Sequence, residues 1–147
     1  LYGAALAERG LGRDAAAYLK LSRAVAASPE EPACRTALAE TAFALGREEE
    51  ARQHYQTVLQ GRPDDPDALI GLAICLGRGK PPIRHVGAAI EAAERAARVT
   101  RYRDLRITAV LADLYVENGR VVEGVSLKRR IRLAARDRDD SGDTGAR

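Results

Sequence analysis

Apolar residues recur along this chain at three- and four-residue steps, and clusters of breakers cut the pattern into segments of helical length. In the last segment Val121, Gly124, Leu127, Ile131 and Ala134 fall on one stripe, the spacing of a helix with a single buried face. The runs Ser28-Pro29-Glu30-Glu31-Pro32 and Gly61-Arg62-Pro63-Asp64-Asp65-Pro66-Asp67 combine proline with capping side chains. Such clusters end one helix and start the next. Asp65 before Pro66 suits an N-cap followed by proline at the first helical position. The longest strand-favouring runs, Ile107-Thr108-Ala109-Val110 and Val121-Val122, lie inside helical stripes. The pattern predicts an all-α chain with helices near residues 1–11, 13–27, 31–45, 47–60, 66–77, 83–98, 102–118 and 120–136. Beyond that, residues 137–147 lack apolar anchors and are expected to form a flexible polar tail.

The helices come in pairs that repeat. Gly12-Arg13 recurs as Gly46-Arg47, Ala17 as Ala51, Leu21 as Tyr55, Ala24 as Val58 and Pro29 as Pro63, every time at an offset of 34. A fixed period in this range marks a stacked array, in which each unit buries its apolar face only against neighbours. Period and residue types together resemble the tetratricopeptide repeat, whose pattern is an aromatic, Leu-Gly, Tyr, Ala-x3-Phe and a closing Pro. The second repeat carries Leu38-Ala39, Ala42, Gly46, Ala51, Tyr55 and Pro63. The first carries Ala4-Ala5, Gly12, Ala17, Leu21 and Pro29, with Glu8 at an aromatic position. The third has Leu69, Leu72-Ala73, Leu76, Ala89, Ala93 and Ala96, and its turn from Gly77 to Pro82 is about four residues longer. The fourth has Leu111-Ala112, Tyr115, Gly119-Arg120, Ile131, and Gly124 in place of the usual Ala. No repeat has the opening Trp. The resemblance implies a right-handed superhelical array of antiparallel helix pairs over residues 1–136, in repeats near 1–29, 30–63, 64–101 and 102–136. The competing architecture is an unrelated antiparallel helical bundle.

Composition agrees with close helix packing. Apolar residues make up 46% of the 147 residues but aromatics only 4%, because alanine dominates, the small residue with the best helix propensity. No apolar run reaches the roughly 18 residues of a membrane span. The chain opens at Leu1 without Met or a signal peptide, as expected of a segment of a longer protein or one whose leader was removed. Cys34 and Cys75 stand far apart and form no CxxC. They read as a helix-start residue with some exposure and a small core residue, not as a metal or disulfide framework.

Catalytic chemistry needs convergent polar groups, and the sequence offers none. His54 and His85 are the only histidines, without metal-ligand spacing. Four serines sit outside any nucleophile-elbow setting. Gly77-Arg78-Gly79-Lys80 lacks the strand, the glycine spacing and the following Ser or Thr of a phosphate loop. Glu48-Glu49-Glu50 opens a helix, where negative charge suits the macrodipole. The reading is a non-enzyme without cofactor or metal.

In the family that the chain resembles, first helices of successive repeats line a concave groove that receives an extended peptide or a partner helix. Carried over, the groove positions are Tyr2, Leu6, Thr36, Glu40, Phe43, Ile70, Ile74, Arg106, Ala109, Asp113 and Val116. They are mostly apolar or acidic, which argues against a basic clamp for chaperone tails and for an amphipathic helix or hydrophobic segment of the partner. The resemblance implies a non-catalytic adaptor for a partner protein, of the kind found in bacterial secretion, export and assembly complexes. An alternative arises from charge. Residues 1–75 carry 8 basic and 11 acidic side chains, whereas residues 76–147 carry 16 and 10. Arg101, Arg103, Lys128, Arg129, Arg132 and Arg136 form a candidate basic patch that could meet nucleic acid or an acidic partner. Interspersed aspartates and the lack of stacking aromatics weigh against nucleic acid. Leu127, Ile131 and Leu133 on the last helix raise self-association as a further expectation.

Overall fold

The computed structural model describes residues 2–142, with side-chain surroundings up to residue 139. These residues form helices α1 (Tyr2–Gly10), α2 (Asp14–Ala27), α3 (Pro32–Ala44), α4 (Glu48–Gly61), α5 (Pro66–Arg78), α6 (Val86–Val99), α7 (Leu105–Glu117) and α8 (Val121–Gly142). No strand occurs among the described residues.

Local chemistry explains the boundaries. Gly12, Gly46 and Gly119 have φ of 70°, 76° and 82°, a left-handed backbone that glycine adopts without strain. At each, the following Arg N–H reaches back to a carbonyl of the preceding helix: Arg13 to Glu8, Arg47 to Ala42 and Arg120 to Tyr115, all at 2.8 Å. The Gly-Arg pairs seen in the sequence are thus three copies of one helix stop. At helix starts, the Asp65 Oδ1 accepts from Ala68 N at 3.0 Å and the Asp104 Oδ1 from Arg106 N at 2.9 Å. Pro32 and Pro66 open α3 and α5.

Three boundaries depart from the sequence reading. Gly77 belongs to α5 and is buried, and the expanded turn runs over 79–85 instead. The Glu48 carboxylate accepts from Lys80 N at 2.6 Å, and His85 Nδ1 accepts from Ala88 N at 3.1 Å to open α6. The helix α7 starts at Leu105 because Arg101 and Tyr102 take positive φ of 50° and 56°. The helix α8 continues past residue 136 to Gly142, so the first part of the expected tail is helical. No proline or glycine interrupts the chain between Val125 and Ser141, and a helix extends until something stops it. Residues 143–147, with Leu1, lie outside the described residues.

Each helix packs on its neighbours in sequence. In addition the backbones of α1 and α3, α3 and α5, and α5 and α7 approach closely, while those of the second helices α2, α4, α6 and α8 stay apart among the described residues, with α2 and α4 bridged by the Tyr18–Glu50 hydrogen bond. First helices therefore form a continuous inner row, and second helices splay on the outside. This is an all-α solenoid of the expected kind, not a closed bundle. The core runs through it as three apolar clusters centred on Leu21 and Leu38, on Tyr55 and Cys75, and on Ile107 and Leu111.

Alanines at 0% exposure (Ala5, Ala17, Ala39, Ala51, Ala73, Ala89, Ala93) mark where helices cross, and small side chains there let the axes approach. At Glu8, which replaces an aromatic, Lys20 Nζ donates to Oε1 at 2.7 Å and Arg13 lies 3.6 Å from Oε2.

Candidate functional site

The concave side of the inner row holds two adjoining hollows that share Glu40, Asp67 and Arg106. The first, about 430 Å³, lies between α1, α3 and the start of α5. Tyr2, Leu6, Arg9, Thr36 and Ala37 line one side of it, and Glu31, Arg62 and Asp65 the other. The second, about 320 Å³, is the apolar one. Its walls are Phe43 from α3, Ile70 and Ile74 from α5, and Ile107 and Val110 from α7, with Tyr55 and Gly71 at its floor.

Heptad-like spacing explains why these residues share a face. Glu40 and Phe43 are three apart, as are Ile107 and Val110, and Ile70 and Ile74 are four apart, so each pair projects from one side of its helix. Ion pairs tie the rims across repeats. Arg9 Nη1 donates to Glu40 Oε2 at 2.7 Å, joining α1 to α3. Arg106 Nη2 donates to Asp104 Oδ2 at 2.8 Å and lies 3.8 Å from Asp67 on α5. These exposed pairs contribute at most about 1 kcal/mol each, and their larger effect is to fix where charge lies along the groove. The Arg106 guanidinium holds the Asp104 carboxyl below the usual carboxylate range.

Of the expected groove residues, Tyr2, Leu6, Thr36, Glu40, Phe43, Ile70, Ile74 and Arg106 line these hollows. Ala109, Asp113 and Val116 do not. Ala109 and Asp113 line a separate cleft with Lys128, Ile131 and Arg132, and Val116 packs against Gly124 of α8. The physical reason is the end of the wall: no first helix follows α7 among the described residues, so one flank of α7 faces α5 and the other faces the open end. The groove uses the inner flank, Ile107 and Val110, which the repeat register alone did not single out.

Tyr55 and Gly71 were also missed as site residues. Tyr55 belongs to an outer helix and is only 2% exposed, yet it reaches the groove floor. The signal was a glycine at mid-helix in α5, a position that costs stability and calls for a packing reason. A Cβ at Gly71 would lie 2.2 Å from Tyr55 Cε1.

The basic residues do not form one surface. Lys128 Nζ donates to Asp113 at 2.8 Å on the open-end flank of α8, and Arg132 lines the same cleft. The turn holding Arg101 and Arg103 lies on the other flank, where Arg130 stands 5.7 Å from the Tyr102 ring centre. Arg129 and Arg136 are exposed.

Cys34 is buried, against the expectation of some exposure, and Cys75 is fully buried. Burial pushes the Cys75 thiol up to about 11, and its Sγ donates to the Glu48 carbonyl at 3.4 Å. His54 is half-buried, and burial holds its imidazole below the ordinary value against the opposing pull of Glu50. Among the described residues no helix is long and apolar enough to cross a membrane, and no group of three His, Cys, Asp or Glu is placed to hold a metal.

A tetratricopeptide-repeat family model matches residues 32–75. No curated protein sequence matches the chain. Among solved structures, the thermophilic TPR protein TTC0263 of Thermus thermophilus superposes with a TM-score of 0.77 at 21% identity, over 88% of this chain and 70% of that one. A structure of MamA gives 0.77 at 15% identity, over 95% of this chain and 78% of that one. MamA from Desulfovibrio magneticus RS-1 gives 0.77 at 15%, over 94% and 75%. At such identities these likenesses speak for the fold.

Proposed function

We propose that the chain, which shares the fold of tetratricopeptide-repeat proteins and matches their family model over residues 32–75, is a non-catalytic scaffold holding a segment of a partner protein in its concave groove. The observation that carries this reading is the apolar chamber. Phe43, Ile70, Ile74, Ile107 and Val110 come from three successive first helices and face a hollow of about 320 Å³. An apolar hollow of that size, rimmed by ordered charge, suits a protruding side chain of a partner. Buried area supplies affinity there, and the rim pairs around Glu40, Asp67 and Arg106 set register.

Affinity capture with the intact chain, compared with the Ile70→Asp, Ile74→Asp double variant, tests the reading. Both side chains are only partly buried, so the variant is expected to keep its helical circular dichroism. It is expected to lose the captured partner by at least about tenfold, since two charges would be buried unpaired on binding. An unchanged set of captured proteins, with folding retained, removes the groove from the account.

A further inference from the structure

The hydroxyl of Tyr55 stands apart from its counterparts. Tyr18 donates its hydroxyl to Glu50, and Tyr115 donates to Glu94 Oε1 at 2.7 Å. Tyr55 is more deeply buried than either, but its hydroxyl has no hydrogen-bond partner among the described residues. The ring is buried while its hydroxyl oxygen is not among the closed-off polar atoms, and a buried tyrosine whose open hydroxyl stays unbonded calls for an explanation.

Geometry supplies one. Tyr55 lines the apolar chamber although it stems from α4, on the outside of the array. It gets there because Gly71 leaves a window in α5. A Cβ at that position would sit 2.2 Å from Cε1, 2.3 Å from Cζ and 2.7 Å from the hydroxyl oxygen. Glycine is a poor residue for the middle of a helix, and α5 carries it where the phenol passes.

The charge around the chamber narrows what could bind. Three carboxylates, Glu40, Asp67 and Asp104, stand at the rim against two cations, Arg9 bonded to Glu40 and Arg106 bonded to Asp104 and 3.8 Å from Asp67. That leaves a negative potential at the hydroxyl, which repels an incoming carboxylate and favours a neutral acceptor with a cation beside it. A peptide carbonyl is such an acceptor. In an α-helix the carbonyls are already bonded except in the last turn, whereas an extended segment presents them free.

We propose that Tyr55 is a hydrogen-bond anchor reaching through α5 at Gly71, and that the chamber takes an extended segment of a partner protein. An aliphatic side chain of that segment fills the space between Phe43, Ile70, Ile74 and Ile107. Its backbone carbonyl accepts from Tyr55, and a neighbouring lysine or arginine meets the exposed Asp67 carboxylate. This rests on the groove reading and decides between its two kinds of occupant, extended peptide over helix.

The test pans a random peptide display library on the whole chain, then titrates the best synthetic peptide onto wild type, Tyr55→Phe and Ile74→Asp. Enrichment of an aliphatic residue next to Lys or Arg, with proline tolerated nearby, is expected. Tyr55→Phe is expected to bind about five- to tenfold more weakly, the scale of one hydrogen bond. Its thermal midpoint should be no lower than that of wild type, because the free protein has no bond there to lose; a merely structural tyrosine would lower it. Replacing the aliphatic residue's following amide by an ester, which weakens the carbonyl as acceptor, should cost wild type more than Tyr55→Phe. Peptide binding to Tyr55→Phe at wild-type strength overturns the anchor, as do acidic consensus sequences, loss of binding on proline insertion, or no enriched peptide. If Tyr55→Phe is neutral while Ile74→Asp abolishes binding, the anchor alone falls. If both are neutral, the groove reading falls with it.

Discussion

A methyl group added at Gly124 would lie 2.6 Å from Val116 Cγ2 and 2.7 Å from the Ala112 carbonyl oxygen, so α7 and α8 meet at a distance that only glycine allows. The sequence displayed this residue as a departure from the repeat pattern; the reason for it lay in the packing of a particular helix pair. Alanine favours helix by about 1 kcal/mol over glycine, but overpacking against backbone costs about 1–3 kcal/mol. Gly124→Ala is therefore expected to be destabilising by up to about 2 kcal/mol in urea denaturation, and a higher midpoint would contradict the close approach. His54 gives a pH-dependent counterpart. Burial depresses its folded-state pKa, so the unfolded chain takes up the proton first as pH falls through about 6.5. The stability of neutral His54 is complete above that value and declines below it. Denaturation midpoints at pH 7.5 and 5.5 should differ in wild type by more than in His54→Gln. Equal differences would mean that His54 is not the group responsible.

Helix boundaries were the most legible feature of the sequence, because their determinants are local. Each Gly-Arg stop and each Asp or Pro start is set within a few residues. The expanded turn was less legible, since it is held from a distance by Glu48, whose carboxylate accepts the Lys80 amide. Glu48→Ala is expected to leave α4 intact and to loosen residues 79–85. Hydrogen exchange at Lys80 should then speed up at least about tenfold, the scale of one charge-assisted hydrogen bond. Unchanged exchange would show that Glu48 does not hold the turn. The length of α8 was misjudged for a related reason: the absence of apolar anchors argued for a tail, whereas the absence of breakers allowed the helix to continue.

At the scale of the array, period and residue types disclosed the stack, and the contacts among α1, α3, α5 and α7 gave it a hollow side. The limits of that side were not legible, because repeat register treats every first helix alike while, among the described residues, α7 has a first-helix neighbour on only one flank. Its open flank differs in chemistry as well. Aligned on Ala51, Ala89 and Gly124, the outer-helix positions that meet the next repeat read Tyr55 and Leu59, then Ala93 and Ala97, then Lys128 and Arg132. Leu127 is buried within its own repeat, and Lys128 is bonded to Asp113, so this end carries charge where inner repeats carry apolar surface. Lys128→Leu with Arg132→Leu should therefore increase self-association in sedimentation velocity across a concentration series; identical profiles would show that these cations do not guard the face.

Six isoleucines serve as reporters of where a ligand lies: Ile70, Ile74 and Ile107 face the apolar chamber, Ile83 is in the expanded turn, Ile90 in the core of α6, and Ile131 in the open-end cleft. The most direct measurement is a methyl NMR titration of isoleucine-labelled chain with a peptide selected from the library. Shifts at Ile70, Ile74 and Ile107, with Ile83, Ile90 and Ile131 unmoved, are the expected result. Shifts confined to Ile83 or Ile131 while the peptide binds would place the ligand elsewhere and contradict the groove.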